Sequence, residues 1–246
     1  MPEPARTSEV AGFRVQHFAS LDSTNAYLLA EARTGAPSGL VAVAGHQTAG
    51  RGRLDRTWEA PPGSSLLVSV LVRDASGGAG AHRVVMAAAL ALADAVETVA
   101  GVGVGLKWPN DLVVGERKLA GVLAEQEGDA LVVGAGCNVA WESFPPDLAA
   151  TATSCSLEAG RPVAVDDLLT AYLDALAGRL AAPDAVVPAY RDRLVTLGRR
   201  VGVERAGDTL VGEAVHVDAD GALVVRADDG TEERVTAGDV VHLRPA

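Results

Sequence analysis

At 246 residues and 48% hydrophobic, mostly Ala, Val and Leu, the chain can bury a full core as one large domain or as an ordinary domain plus a small one. A net charge of −11 argues against nonspecific nucleic-acid binding, which relies on basic patches. Two cysteines, Cys137 and Cys155, make neither a disulfide framework nor a zinc pattern and point to a reduced, cytoplasmic setting; no run reads as a signal peptide or a membrane span.

Residues 1–12 read as a flexible tail. Phe13 to Phe18 alternates as a strand does. Asp22-Ser23-Thr24-Asn25 offers capping side chains ahead of a helix over Ala26 to Arg33. Leu40 to Ala44 reads as a buried strand, Thr48 to Ser64 as a long polar loop, and Leu66 to Val72 as a second apolar strand. Gly77, Gly78 and Gly80 form a break before a helix from about Arg83 to Val99. Leu106 to Trp108 and Leu112 to Val114 are short strands around a Pro-Asn-Asp turn. Lys118 to Gln126 and Leu131 to Val133 flank Gly128-Asp129, a hairpin signal. Asp166 to Leu180 and Pro188 to Leu197 are helical, with Leu169, Leu173, Leu176 and Leu180 at three- and four-residue spacing.

The character changes near residue 198. Arg200 to Arg205, Leu210 to Val217, Ala222 to Arg226, Glu233 to Val235 and Val240 to Leu243 are strand candidates. The turns Ala206-Gly207-Asp208, Asp218 to Gly221, Asp228-Asp229-Gly230 and Ala237-Gly238-Asp239 separate them. Short strands at that spacing predict a small barrel. The expected organisation is a tail over 1–12, a main domain over 13–197 and a small β domain over 198–246.

Four clusters carry chemistry. In the loop beginning Gln47, Gly50 and Gly52 permit positive φ and close backbone approach. Arg51, Arg53 and Arg56 supply planar forks for carboxylate or phosphate oxygens, and Trp58 offers a stacking face. A solvated basic loop has the same composition; the length also suits a lid. Lys118 enters an apolar strand either at an exposed edge or aimed into a cleft, where Lys107, Asn110 and Asp111 would join it. Gly134-Ala135-Gly136-Cys137-Asn138 ends a strand and reads as a tight turn or as backbone packed against a ligand with Asn138 as a polar arm. It lacks the third glycine of a dinucleotide fingerprint. Ser23-Thr24-Asn25 reads first as a helix cap and otherwise as the holder of a polar ligand head. No Walker-type phosphate loop, His-Glu-x-x-His or nucleophile elbow is present, and the five histidines have no ligand spacing.

Taken in order, Ser23-Thr24-Asn25, Gln47 with Gly50-Arg51-Gly52-Arg53, Lys107-Trp108-Pro109-Asn110-Asp111, Lys118-Leu119-Ala120-Gly121 and Gly134 to Asn138 resemble the biotin–protein ligase family. The resemblance implies an α/β (α+β) catalytic domain with a mixed sheet flanked by helices, followed by a small C-terminal SH3-like β-barrel. It implies that biotin and ATP, with Mg²⁺, give biotinyl-5′-AMP and pyrophosphate. Biotin then passes to a lysine of the biotin carboxyl carrier domain of an acyl-CoA or pyruvate carboxylase. On the matching positions, Ser23, Thr24, Asn25, Gln47, Gly50, Arg51, Gly52, Arg53, Lys118, Gly121 and Gly136 would serve biotin. Arg51, Arg53, Arg56, Trp58, Asn110, Lys118 and Asn138 would serve ATP and the adenylate. Lys118, Arg53 and Asp111 would carry the chemistry: Lys118 between the two anions, Arg53 on the phosphates, Asp111 orienting the acceptor lysine or accepting its proton. No protein ligand to a metal is assigned.

Some family members carry an N-terminal DNA-binding domain. Here only about a dozen residues precede the first expected strand, so no DNA partner is expected, and no membrane. Three other readings stand beside this one: a lipoate–protein ligase, a biotin- or nucleotide-binding sensor without turnover, and a biotin-responsive repressor, which operator binding would have to revive.

Overall fold

In the computed structural model, which describes residues 2–54, 56–73, 78–205, 208–236 and 239–242, the first strand comes earlier than the sequence suggests. Strand β1 (Arg6–Val10) pairs antiparallel with β2 (Phe13–Phe18), Val10 opposite Phe13. Ala11 and Gly12 between them have φ of 50° and 82°, the backbone of a two-residue primed turn that suits strand twist. The expected flexible tail is therefore a strand from Arg6 onward. Its order comes from a partner, which composition does not report.

Strands β3 (Leu40–Ala44), β4 (Ser65–Arg73), β5 (Gly105–Lys107), β6 (Asp111–Val114), β7 (Arg117–Glu127) and β8 (Ala130–Asn138) complete an eight-stranded sheet ordered β1-β2-β3-β4-β8-β7-β6-β5. Only β2 and β3 run parallel, so the sheet is mixed. Alternation divides its side chains between two cores. Leu40, Ala42, Leu71 and Val132 pack beneath α1 (Thr24–Arg33) with Phe18 and Leu28. Val41, Val43, Val68 and Val133 face the opposite layer with α2 (Gly78–Ala100), α3 (Cys155–Ala159), α4 (Val165–Ala181) and α5 (Val186–Arg193).

Helix α2 begins at Gly78 rather than near Arg83, since glycine in a first turn interrupts few helical hydrogen bonds. Its acids Asp94 and Glu97 meet Arg179 of α4 and Arg193 of α5 at 2.7–2.9 Å, which lets the rest of the helix be apolar. Helix α5 stops at Arg193, short of the expected Leu197, because Leu194 bridges Leu106 of β5 and the Val195 amide donates to the Leu106 carbonyl.

Strands β9 (Arg200–Arg205), β10 (Asp208–Val217), β11 (Leu223–Ala227), β12 (Glu232–Val235) and β13 (Asp239–His242) form an antiparallel sheet ordered β12-β11-β10-β9-β13. No pairing closes it between β12 and β13 among the described residues. Gly77, the turn residues Ala206-Gly207 and Ala237-Gly238, and Leu243 lie outside the described residues. Val201, Val203, Leu210 and Val225 belong to the same core as α2 and α5. Trp108 rivets the two sheets. It is buried, its indole N–H donates to the Gly221 carbonyl at 3.0 Å, and its amide donates to Thr196 Oγ1 at 3.0 Å.

Candidate active site

The site gathers at the C-terminal ends of the parallel pair β2 and β3. The chain past β2 and the chain past β3 continue side by side, Leu21 bridging Gln47, so the start of α1 lies against the loop that follows β3. Ser23 caps α1, accepting from the Ala26 amide at 3.4 Å, and its hydroxyl also lies 3.5 Å from Arg51 Nε. The cap and the ligand-holding readings of Ser23 are therefore compatible. The Thr24 amide and hydroxyl reach Gln47 Oε1 at 2.7 and 3.0 Å.

Asn25 is fully engaged. Its Nδ2 donates to Glu125 Oε2 at 2.8 Å and to the Leu123 carbonyl at 3.3 Å, and its Oδ1 accepts from Ser69 Oγ at 2.6 Å. Glu125 Oε1 also holds Arg51 at 2.8 Å. Ser69, Leu123 and Glu125 are absent from the motif reading. A serine inside an apolar run passes for a tolerated small residue, and a glutamate near a strand end for a solvated one.

The loop after Gln47 folds on itself. Arg51 bridges Thr57, Gly52 donates to the Arg56 carbonyl, and Trp58 donates to the Gly50 carbonyl at 3.0 Å. Neither Gly50 nor Gly52 has positive φ, contrary to expectation. A Cβ on Gly50 would sit 2.2 Å from the Trp58 carbonyl oxygen, so that glycine admits the loop's own backbone rather than a ligand's approach. Arg53 donates to Asn110 Oδ1 at 3.3 Å, while Asn110 Nδ2 donates to the Val122 carbonyl at 2.8 Å.

Lys118 is aimed into the cleft. Strand β7 is interior, and a register shift opposite Leu112 and Val113 marks a bulge at its start, a device that re-aims a side chain. Lys118 Nζ lies 2.7 Å from Asp111 Oδ1 and 5.8 Å from the Trp58 ring centroid. Gly121 leaves room for that ion pair, with Lys118 Nζ 3.3 Å from where a Cβ would be. Gly136 does the same for Trp58, whose Cε2 would lie 2.7 Å from an added Cβ.

Trp58, Asp111 and Lys118 form a wall shared by two cavities. The first, about 120 Å³, is lined by Ser23, Thr24, Asn25, Gln47, the arginines 51, 53 and 56, Asn110, Gly121 and Gly136. The second, about 570 Å³, takes in Lys107, Asn138, Trp141, Phe144, Thr151 and His242. The Trp141 and Phe144 rings lie 4.4 Å apart between centroids, tilted by 34°, on that cavity's side. Asn138 is buried and donates to the Thr153 carbonyl at 3.0 Å, tying the loop after β8 to the sheet; no tight turn forms at Gly134 to Asn138, which continue β8. Burial, then Lys107 and Arg199, holds His242 down to about 4.

The chemistry of the two cavities differs. The first offers paired amide and hydroxyl groups for a neutral polar head. The second offers aromatic faces for a flat ring. The wall between them carries the ammonium of Lys118, which points to anionic oxygens at the junction.

Residues 17–140 match the model of the biotin/lipoate A/B protein ligase family, and residues 196–243 match the biotin protein ligase C-terminal domain. The biotin–[acetyl-CoA-carboxylase] ligase of Mycobacterium tuberculosis is 40% identical over 236 residues, covering 92% of this chain and 88% of that protein. The chain belongs to the biotin/lipoate A/B protein ligase family. Among solved structures, the Aquifex aeolicus biotin protein ligase in complex with biotin and ATP superposes with a TM-score of 0.82. At 24% identity, covering 94% of this chain and 99% of that one, it shares the fold. The Leishmania major biotin protein ligase in complex with biotinyl-5-AMP gives a TM-score of 0.64 at 27% identity, covering 91% and 98%. Most polar residues and glycines that carried the family resemblance line the two cavities, whereas Trp108 serves the junction between the sheets and Leu119, Ala120 and Cys137 are buried in the core.

Proposed function

We infer that the chain is a biotin–protein ligase. It activates biotin with ATP to biotinyl-5′-AMP and passes biotin to a lysine of a carboxylase's biotin carboxyl carrier domain. The observation that carries this is the shared wall: one cation, Lys118, stands between a hydrogen-bonding cavity and an aromatic one. Two substrates that must react head to head need that arrangement.

In the first step a biotin carboxylate oxygen attacks the α-phosphorus of ATP. The new O–P bond forms as the bond to the departing pyrophosphate breaks. The carboxylate is ionised at neutral pH, so no base is required; the barrier is repulsion between anions. Lys118 lowers it by placing positive charge where the two meet, and Arg53 and Arg56, which line the first cavity, add positive charge on the biotin side for phosphates that reach the junction. Ser23, Thr24, Gln47 and Arg51 hold the ureido head, with Asn25 bracing them. Trp141 and Phe144 take the adenine face, and Asn138 anchors their loop. A dithiolane has no donor for such a head-binding network, which favours biotin over lipoate.

Mg²⁺ enters with ATP. Among the described residues no group of three His, Cys, Asp or Glu could hold a metal. In nucleotide sites Mg²⁺ is ordinarily held through substrate phosphates and water. Bound there, it shields the phosphates' charge.

In the second step the acceptor amine attacks the anhydride carbonyl carbon. The C–O bond to AMP breaks, and the amine loses a proton. Asp111 is the carboxylate at the junction suited to orient that amine. The small C-terminal sheet is in this reading an SH3-like barrel. The unbridged Cys137 and Cys155, sulfurs 4.0 Å apart, suit the reducing cytoplasm.

The deciding measurement is biotin-dependent ATP–pyrophosphate exchange. Wild type is expected to exchange with biotin and not with lipoate, and Lys118→Ala to fall by roughly 10²–10³-fold. Asp111→Asn is expected to keep most exchange and to slow transfer to a carrier domain. Exchange that ignores biotin would overturn the reading.

A further inference from the structure

Four oxygens at the back of the first cavity form a chain: Asn25 Oδ1, Ser69 Oγ, Thr24 Oγ1 and Gln47 Oε1, spaced 2.6, 2.7 and 3.0 Å. Each spacing is a hydrogen-bond length, so three links call for three protons. The two ends bring none. Gln47 presents oxygen because it accepts the Thr24 amide at 2.7 Å. Asn25 presents oxygen because its other arm meets two acceptors, the Leu123 carbonyl and Glu125 Oε2. Only the hydroxyls of Ser69 and Thr24 supply protons, one each. Two protons serve three links.

Which link goes without follows from what else serves each oxygen. Asn25 Oδ1 has Ser69 as its one donor among the described residues, and Ser69 is fully buried. An unfilled link there would leave a buried carbonyl unpaired. Gln47 Oε1 already has the Thr24 amide. The stable order is therefore Ser69 to Asn25 and Thr24 to Ser69, with the Thr24–Gln47 link empty. Both residues line the cavity, and their oxygens stand 3.0 Å apart with lone pairs and no proton between them.

We propose that Ser69 is a specificity-determining positioning residue. By taking the Thr24 proton it converts Thr24 Oγ1 and Gln47 Oε1 into an acceptor pair that selects a ligand donating N–H. This rests on the function proposed above, in which the donor is a ureido N–H of biotin. The local structure serves the same end. Gly134 lies opposite Ser69 in the β4–β8 ladder, and a Cβ there would stand 2.2 Å from Asn25 Oδ1 and 3.2 Å from Ser69 Oγ. Glu125, holding the Asn25 amide, sets the direction of the whole chain.

The test compares biotin with two analogues, each with one ureido N–H replaced by oxygen, as substrates for pyrophosphate exchange. Wild type is expected to prefer biotin over at least one analogue. In Ser69→Ala the Thr24 hydroxyl is released toward Gln47, and that preference is expected to fall roughly tenfold. The ratio of kcat/KM values is taken within one preparation, so loss of folded protein cancels. Ser69→Cys, close in size and a poorer acceptor, gives the same comparison if the alanine variant does not fold. An unchanged ratio overturns the role of Ser69 while leaving the ligase reading intact. A wild type with no biotin-dependent exchange overturns both.

Discussion

The two cavities are built differently. The first is set in the sheet and the start of α1, and its polar groups are nearly all engaged with one another: the Thr24 amide with Gln47, the Thr24 hydroxyl with Ser69, Asn25 with Glu125 and Ser69, Arg51 with Glu125. The second is larger and is walled by a loop after β8 and by the tip of the small sheet, with aromatic faces in place of a network. A preorganised network reads a ligand's donors and acceptors one by one, and its buried groups are left unpaired by the wrong ligand. An aromatic wall holds a flat ring with less regard for its edges. The comparison suggests strict recognition on one side of Lys118 and looser recognition on the other.

Substitutions on either side should separate the two. Gln47→Leu removes the acceptor for the Thr24 amide as well as half of the acceptor pair. Its KM for biotin is expected to rise on the order of a hundredfold with the KM for ATP nearly unchanged, in steady-state exchange assays. A similar rise in both constants would mean that the cavities are not separate in function. Trp141→Ala should do the converse, raising the KM for ATP roughly tenfold and sparing biotin. Isothermal titration with each ligand alone would expose any leakage between the two effects.

The smallest effect concerns His242, at the far edge of the second cavity. Burial, then Lys107 and Arg199, lowers it from 6.5 to about 4, and its Nε2 lies 3.3 Å from the Thr196 hydroxyl. Lowering favours the neutral ring in the folded protein. Its contribution to stability is complete above about pH 6.5 and is lost as pH falls toward 4, where the unfolded chain binds the proton more readily. The melting temperature should therefore fall across that window, and His242→Gln should flatten the slope there while leaving it unchanged near pH 8.

The contrast also explains what was legible beforehand. The first cavity announces itself because short polar side chains and glycines cluster at turns, where strands have no use for them: Ser23-Thr24-Asn25, Gln47, Gly50 to Arg53. The mixed sheet and most helices follow from hydrophobic period. Ser69 and Glu125 stay silent because each fits its strand's pattern, and their importance arises only when α1 is laid across β4 and β7. Trp141 and Phe144 lie in a stretch with no periodicity. Trp108, amid the most conspicuous motif, faces the core instead, since a buried donor was needed at the junction with the Gly221 carbonyl. Strand β1 escaped notice because pairing, not composition, makes it a strand.

One backbone attachment has a thermodynamic consequence. Lys118 is laced to the loop bearing Trp141 and Phe144 through its own main chain: its amide donates to the Thr151 carbonyl, and its carbonyl accepts from Thr153. In the function proposed above, a nucleotide settling against that loop would act on the lysine that also faces the biotin side. Any coupling so produced must be reciprocal: the factor by which biotin alters nucleotide affinity would equal the factor by which nucleotide alters biotin affinity.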